Sequence, residues 1–290
     1  MLKLKNIDYP ALYQSASELS ERSQKSFYRA FLGNIALLSG AAFISIFNSN
    51  RAGIAIAQAI TLLGALGCAI YLYSGRPDRY WYAGRAVAES IKTLVWRFVS
   101  RAEPFDRADE LDRHDFALRL KAVIDQNKDV AGLLSTHLDG VQITLEMERL
   151  RRQNITERAK SYLELRIVDQ QKWYAKKAAF NRRMVNIIFL ALMAAIAVAI
   201  FFAVAKIEFP TASFWPTDFF VTLAAGVLSW IQAKRFHELS TSYALTAHEI
   251  SLIRQQAADF KSDENLSRFV GDAENAFSRE HTQWVARRDN

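Results

Sequence analysis

The side chains that could carry out chemistry in this sequence are few, and they stand apart from one another. No histidine is placed with a second histidine and a carboxylate at the spacing of metal ligands. The sequence has no glycine-rich phosphate-binding loop and no nucleophile elbow, and its one cysteine, Cys68, rules out an internal disulfide and a cysteine metal cluster. We therefore expect neither an enzyme nor a bound metal or cofactor.

One stripe of side chains, here called the Arg166 stripe, has the donors and rings that bind anions. Its members recur at helical spacing: Tyr162, Arg166, Gln170, Trp173, Lys177 and Asn181. Guanidinium, ammonium and aromatic groups on one helix face could hold a nucleotide or an acidic partner.

A second stripe, here called the Glu89 stripe, lies on an earlier predicted helix. It consists of Tyr82, Arg85, Glu89, Lys92, Thr93 and Trp96. If the two helices pack face to face, Arg166 or Lys177 would pair with Glu89. We favour this packing over a ligand site.

The helix that carries the Arg166 stripe must continue into an apolar run. Residues 184–204 contain no charge, proline or glycine. At about 1.5 Å per residue they can cross a hydrocarbon core roughly 30 Å thick. Three more apolar runs lie at about 30–47, 53–73 and 217–232, and the last is the weakest. The sequence therefore predicts an all-α membrane protein with two transmembrane helical hairpins and long cytoplasmic helices. A helical hairpin buried in a soluble core is the alternative for the first two runs.

The net charge of +7 comes from basic residues at particular places. Lys and Arg gather before the first and third runs and after the second and fourth, whereas the two hairpin turns carry only Arg51 and Lys206. By the positive-inside rule, both termini and the middle segment are cytoplasmic, and we assign the chain to an inner (cell) membrane. The basic excess then reflects membrane orientation rather than nucleic-acid binding.

The apolar runs contain one further pattern, a set of small polar side chains on shared helix faces. Its members are Asn34, Ser45, Gln58, Thr61, Asp218, Thr222, Ser229 and Gln232. Such faces either pack helices closely or line a wet path, and packing is the commoner reason. No charge lies in the middle of a run, which argues against a proton pump or a voltage sensor.

The arrangement of helix, hairpin and helix occurs twice. Gln24 precedes the aromatic pair Phe27-Tyr28 before the first run, and Gln170 precedes Trp173-Tyr174 before the third at the same spacing. An even number of runs separates the copies, so they form a parallel repeat. We predict a first unit at 1–130, a linker at 131–141 and a second unit at 142–290.

Two stretches resemble the SLATT family, the two-transmembrane effector domains associated with SMODS nucleotide synthetases and SLOG domains. Tyr82–Phe98 (YAGRAVAESIKTLVWRF), followed by Arg101–Phe105 (RAEPF), looks like the post-hairpin helix of one subtype. Tyr162–Ala178 (YLELRIVDQQKWYAKKA) looks like the pre-hairpin helix of another. The chain thus resembles a tandem SLATT protein, least closely in the fourth run and the helix after it. No ligand site of the family can be carried over residue by residue.

The resemblance implies a membrane effector, a pore that kills or arrests the cell in a nucleotide-signalled antiviral system. Four short runs without a wide polar path could form a pore only from several copies, so we expect a homo-oligomer in the lipid bilayer. Its signal would come from a nucleotide second messenger or a cytoplasmic sensor protein. The alternative is a membrane anchor or scaffold that forms no pore and recruits a cytoplasmic partner. A small-solute transporter ranks third, because no broken helix or midplane site is evident.

Overall fold

A computed structural model describes residues 8–47, 52–257 and 260–286, with side chains as far as Ser278. Arg51 of the first hairpin turn falls outside these ranges. All the regular elements within them are helical, which confirms the predicted all-α class. In chain order they are α1 (Ala11–Ser45), α2 (Ala52–Gly75), α3 (Pro77–Val99), α4 (Asp109–Gln126), α5 (Lys128–Ala131), α6 (Leu145–Arg151), α7 (Ile155–Tyr162), a π-helical turn (Leu163–Val168), α8 (Asp169–Glu208), α9 (Thr217–Lys234), α10 (Phe236–Gln255) and α11 (Asp263–Ala286).

Local sequence explains where the shorter helices begin. The Thr144 hydroxyl accepts a hydrogen bond from the backbone N–H of Met147 and caps α6, over 3.3 Å. The Asn154 side chain accepts from the backbone N–H of Glu157 and caps α7, over 2.9 Å. Side-chain oxygens at this position satisfy backbone donors that the first helical turn leaves unpaired. The chain therefore turns between α6 and α7 at a defined residue.

The chain divides into two compact units. The helical body comprises Met1–Gln24, Asp78–Ala175 and Ala244–Asn290, and the span unit comprises Lys25–Pro77 and Lys176–Tyr243. The predicted division by chain order, with its linker at 131–141, is of a different kind and stays a prediction.

The helical body has an aromatic core. Phe98, Phe105 and Phe116 are fully buried, and their ring centroids lie between 4.9 and 5.8 Å apart. Gly84 of α3 allows α1 to approach closely, because a Cβ there would lie 3.0 Å from the Ala16 carbonyl oxygen. Ring packing and this helix contact fix α3, which carries the Glu89 stripe.

The span unit turns large apolar side chains outward. Ile60, Leu63, Leu190 and Phe201 are each more than 60% exposed. Three helical segments among the described residues are long and apolar enough to cross a membrane: Ala11–Ser45, Ala52–Gly75 and Ile155–Glu208. A helix that presents apolar side chains on most of its surface is suited to lipid rather than water. The chain is thus a membrane protein, and a hairpin buried in a soluble core is not what the structure shows.

The fourth predicted run corresponds to α9. This helix has 18 residues, and it is not among the three segments just named. It ends at Arg235, which adopts a left-handed conformation with φ of 50°. Whether α9 crosses the membrane stays a prediction.

Candidate functional site

The centre of the helical body is a buried ion pair between Arg166 and Glu274. Arg166 lies in the π-helical turn and Glu274 on α11, and their side chains are 2% and 0% exposed. The Arg166 Nε donates to Glu274 Oε1 and its Nη2 donates to Oε2, both over 2.8 Å. This two-pronged geometry is the strongest form of a guanidinium–carboxylate contact.

Two hydroxyl groups complete the contacts of Glu274. Tyr162 donates to Oε1 over 3.0 Å, and Thr93 of α3 donates to Oε2 over 2.9 Å. The Phe277 ring lies 4.5 Å below the Arg166 guanidinium, which gives a cation–π contact. The carboxylate thus joins α3, α7 and the π-helical turn to α11.

The sequence-based prediction pairs Arg166 or Lys177 with Glu89, and it does not include Glu274. The bidentate partner of Arg166 is Glu274, and the charge of Glu89 also contributes to the field at the guanidinium. Glu89 lies 3.9 Å from Lys92 on its own helix. Glu274 was missed because it lies 108 residues from Arg166, in a segment whose other acids look like a solvated helix face.

The Arg166 stripe does not stay on one face. Tyr162 and Arg166 are buried, but Gln170 is half-buried, Trp173 is 38% exposed and Lys177 is exposed. From Ile167 onward the buried positions of this helical segment as far as Asn181 are Ile167, Tyr174 and Asn181, which are seven residues apart. A π turn takes one residue more than an α turn, so the face that continues from Arg166 is offset beyond it. Of the stripe members past Arg166, Asn181 is thus buried, whereas Gln170, Trp173 and Lys177 are not.

The two stripes meet at their aromatic ends. The rings of Trp96 and Tyr162 pack edge to face with centroids 5.6 Å apart, and the Trp96 Nε1 donates to the Tyr9 hydroxyl over 3.1 Å. Tyr82 stacks on Trp81 at 4.5 Å, and Arg85 is half-buried. Trp96 and Tyr162 thus pack the helix core, and neither ring is open to a ligand.

The electrostatics of this cluster hold Arg166 and Tyr162 in one protonation state. Burial, and then the charge of Glu274, raises the pKa of the Tyr162 phenol well above its ordinary value. Burial works against the charged form of Arg166, but the Glu274 carboxylate outweighs it and raises the guanidinium pKa. Arg166 and Tyr162 thus stay protonated at any cellular pH. The cluster is a fixed polar clamp rather than a proton-transfer site.

A second buried arginine ties together the other end of the body. The Arg151 Nη2 donates to Asp112 Oδ2 over 2.6 Å, and its Nε donates to Asp109 Oδ1 over 3.0 Å. Its Nη1 donates to the backbone carbonyls of Phe98 and Phe105, over 2.6 and 3.0 Å. Sequence reasoning missed this residue, since it stands among Arg149 and Arg152, which look like solvated helix charges. The apolar residue Phe116 stands four residues after Asp112, and it is buried. It was the one local sign that Asp112 faces inward.

The polar side chains of the spans are used inside the span unit. The Asn34 side chain of α1 donates to the Ala65 carbonyl of α2 over 2.8 Å, and the Gln58 side chain of α2 donates to the Ala41 carbonyl over 3.3 Å. Four hydroxyls donate to carbonyls of their own helix: Ser45, Thr61, Thr222 and Ser229. Asp218 and Gln232 are exposed. The geometry of Asn34 and Gln58 is that of side chains that join packed helices.

Aromatic rings join α1 to α9. Phe43 meets Phe219 at one end, with centroids 5.5 Å apart, and Tyr28 meets Trp230 at the other, also at 5.5 Å. The Lys234 ammonium lies 3.4 Å from the centroid of the Tyr28 ring. Rings and a basic group together are typical of the level at which a span leaves the hydrocarbon.

Two known protein families match almost the whole chain. The family described as SMODS and SLOG-associating 2TM effector domain 3 matches residues 10–159. The family described as SMODS and SLOG-associating 2TM effector domain 1 matches residues 162–284. Neither a curated protein nor a solved structure gives a significant match. The chain therefore belongs to the SLATT family of membrane effector domains and carries a domain of type 3 followed by a domain of type 1.

Proposed function

We propose that this effector oligomerises and permeabilises the bacterial inner membrane when a nucleotide-dependent signal arrives in the cytoplasm, so that the cell dies or stops growing. The observation that carries the proposal is the use of polar groups in the spans. Asn34 and Gln58 bond to the neighbouring helix of their own hairpin, whereas the large apolar side chains face outward. One copy thus supplies no polar path of its own among the described residues, and a pore needs several copies.

The segment Ile155–Glu208 supports the link from signal to membrane. It is an uninterrupted helical segment of 54 residues that contains both Arg166 and the apolar run 184–204. A change at the Arg166–Glu274 pair would act directly on this helix. π-helical turns recur at functional positions of helices, and this one holds Arg166. We infer that the turn is where the signal reaches the span.

Controlled expression in bacterial cells that also produce the upstream signal tests the pore. The expected result is loss of membrane potential and entry of a membrane-impermeant dye, measured at verified membrane levels of the protein. The same purified chain should release a small fluorophore from liposomes. Cells that kept their potential and excluded the dye, with both signal and protein present, would rule out the pore.

Trp173 is the better probe of coupling than Arg166. Arg166 is buried in the body, so its replacement damages the fold, whereas Trp173 is 38% exposed and lies just after the π-helical turn. Trp173→Ala should reduce signal-dependent leakage while the protein stays in the membrane. The control is Lys172→Ala, because Lys172 is the exposed residue beside it on the same helix. Equal leakage from both variants and the wild type would contradict the coupling role.

A membrane scaffold is the second candidate, and one observation favours it. The helical body leaves Leu138, Val141 and Leu145 between 67% and 86% exposed. Neighbouring exposed apolar side chains are typical of surfaces that bind another protein. Replacing the spans by unrelated ones of equal length should preserve a scaffold and abolish a pore.

A further inference from the structure

The guanidinium of Arg158 is buried and only partly satisfied. Its side chain on α7 is 4% exposed, and its Nη2 donates to Asp263 at the start of α11. The Nε and Nη1 atoms are also buried, and they make no hydrogen bond with any residue that the structure describes. A guanidinium has five N–H donors, and buried donors normally find acceptors. Arg158 therefore has donors to spare for an acceptor that is not part of the described chain.

The charges of two more arginines reach Arg158. Arg101 and Arg151 share the carboxylate of Asp109, since the Arg101 Nη2 and the Arg151 Nε both lie 3.0 Å from Oδ1. Both of their charges act on Arg158. The Arg101 Nε is a further buried donor without an acceptor among the described residues. These three guanidinium groups are here called the arginine cluster.

The surroundings of Arg158 disfavour its charged form. Burial lowers the pKa of its guanidinium, the Asp263 carboxylate opposes this, and the charges of Arg101 and Arg151 lower it further. The counter-ion is itself loosely held, because the Asp263 side chain is 65% exposed. An incoming anion with more acceptor oxygens than a carboxylate would compete with Asp263 for Arg158.

The cluster can be reached from solvent through its outer members. The side chains of Arg101 and Asp109 are 36% and 42% exposed, and Asp263 is more exposed than either. Arg151 and Arg158 are each 4% exposed. An anion from solvent would therefore meet the exposed partner Asp263 and compete with it for Arg158.

We propose that the arginine cluster of Arg101, Arg151 and Arg158 binds a phosphate group, in the first place that of a soluble nucleotide, and that the phosphate replaces Asp263 as the partner of Arg158. Phosphate fits because its several oxygens can accept from more than one guanidinium N–H at once, and the Nε and Nη1 of Arg158 are without acceptors among the described residues. The role of this site as the entry point of the cytoplasmic signal rests on the proposed function. The binding of phosphate itself does not rest on it. Asp263 and Glu274 lie on the same helix, so phosphate binding would loosen α11 at its first turn.

Binding of inorganic pyrophosphate to the full chain in zwitterionic nanodiscs tests the proposal. Titration calorimetry should show saturable binding to the wild type. Arg158→Met should weaken it about tenfold or more, because charge-assisted hydrogen bonds are lost. Asp263→Asn should strengthen it, because the competing carboxylate is gone. The two variants thus shift affinity in opposite directions, which a merely structural role would not produce.

Matched controls lie on the surface of α11. Arg268→Gln and Glu264→Gln make the same changes of charge at an exposed ion pair, where the side chains are 70% and 81% exposed, and should leave the affinity unchanged. Helix content from circular dichroism shows whether Arg158→Met folds. If Arg158→Met does not fold, the comparison of pyrophosphate affinity between Asp263→Asn and Glu264→Gln still tests the proposal. Absence of pyrophosphate binding to both the wild type and Asp263→Asn overturns the proposal, as does equal binding by Asp263→Asn and Glu264→Gln.

Two further arms separate the sources of phosphate and the two proposals. If nanodiscs of anionic phospholipid abolish pyrophosphate binding to the wild type, the phosphate is that of a lipid headgroup and the site stands. Liposome leakage is measured in parallel. Leakage without pyrophosphate binding would rule out the arginine cluster as a phosphate site, and the proposed pore would stand. Binding without leakage under any signal would rule out the pore, and the phosphate site would stand.

Discussion

At the scale of single residues, the body depends on one carboxylate. Glu274 is completely buried, and each of its oxygens accepts from Arg166 and from one hydroxyl. If Glu274 loses its charge, the Arg166 guanidinium stays buried without a counter-ion. If both groups are replaced by apolar side chains of similar size, no uncompensated charge remains. The single and double replacements therefore have different consequences.

We expect Glu274→Gln to lower the free energy of unfolding by about 3–5 kcal/mol, the usual cost of breaking a buried pair. Thermal unfolding of the purified chain in detergent measures it as a fall in Tm. Glu264→Gln is the control on the same helix, because its partner Arg268 is 70% exposed and surface pairs contribute at most about 1 kcal/mol. The double variant Arg166→Met/Glu274→Leu should recover part of the loss. Equal Tm values for Glu274→Gln and Glu264→Gln would contradict the clamp.

At the scale of elements, α1 and α3 of the body approach each other closely at Gly84. A Cβ there would come within 3.0 Å of two backbone atoms of α1, the Ala16 carbonyl oxygen and the Ser20 nitrogen. Backbone cannot move aside as a flexible side chain can, so the helices would have to separate.

Gly84→Ala should therefore destabilise the chain by about 1–3 kcal/mol through overpacking. Gly271→Ala is the matched comparison, because Gly271 is also helical but has nothing within 4 Å of the added Cβ. There the better helix propensity of alanine should stabilise by about 0.5–1 kcal/mol. The Tm shifts of Gly84→Ala and Gly271→Ala are expected to have opposite signs. Shifts of the same sign would show that helix propensity, rather than the contact with α1, determines the effect of Gly84→Ala on stability.

The elements also show what could be predicted from sequence and why. Residues 184–204 could be predicted as a membrane span because long uncharged apolar runs are rare in other settings. The structure places them in a helix whose apolar side chains face outward. Glu274 could not be predicted as the partner of Arg166, since such a pairing depends on tertiary packing. The offset between Trp173 and Tyr174 could not be predicted either, because spacing arguments assume an α-helix and the π-helical turn breaks the count.

At the scale of the whole molecule, the basic residues predict how often the chain crosses the membrane. Lys206 lies in the last turn of α8 and residues 209–216 carry no basic residue, whereas Lys234 and Arg235 stand together at the end of α9. The positive-inside rule therefore predicts that residues 209–216 lie outside and the following helix inside, which requires α9 to cross.

Cysteine labelling tests this topology in a Cys68→Ser background, which removes the natural cysteine. A membrane-impermeant maleimide should label Ala212→Cys in spheroplasts, in which the outer membrane is removed and the inner membrane is intact. It should label Lys261→Cys only after lysis. Both positions are exposed in the structure, so access is limited by the membrane alone. Labelling of Lys261→Cys from outside would show that α9 does not cross.

The π-helical turn also determines how related chains can differ in length. A π turn is an α-helix that has taken in one additional residue without unravelling. Counted as a regular helix, Trp173 would follow Arg166 on the buried face; with the additional residue it is Tyr174, the ring that the body buries. Deleting one of the two residues of this turn that follow Arg166 would restore a regular helix and still leave the Tyr174 ring in line with Arg166. Single-residue insertions and deletions among related chains should therefore collect in this turn, where the helix absorbs them without changing what lies buried on either side.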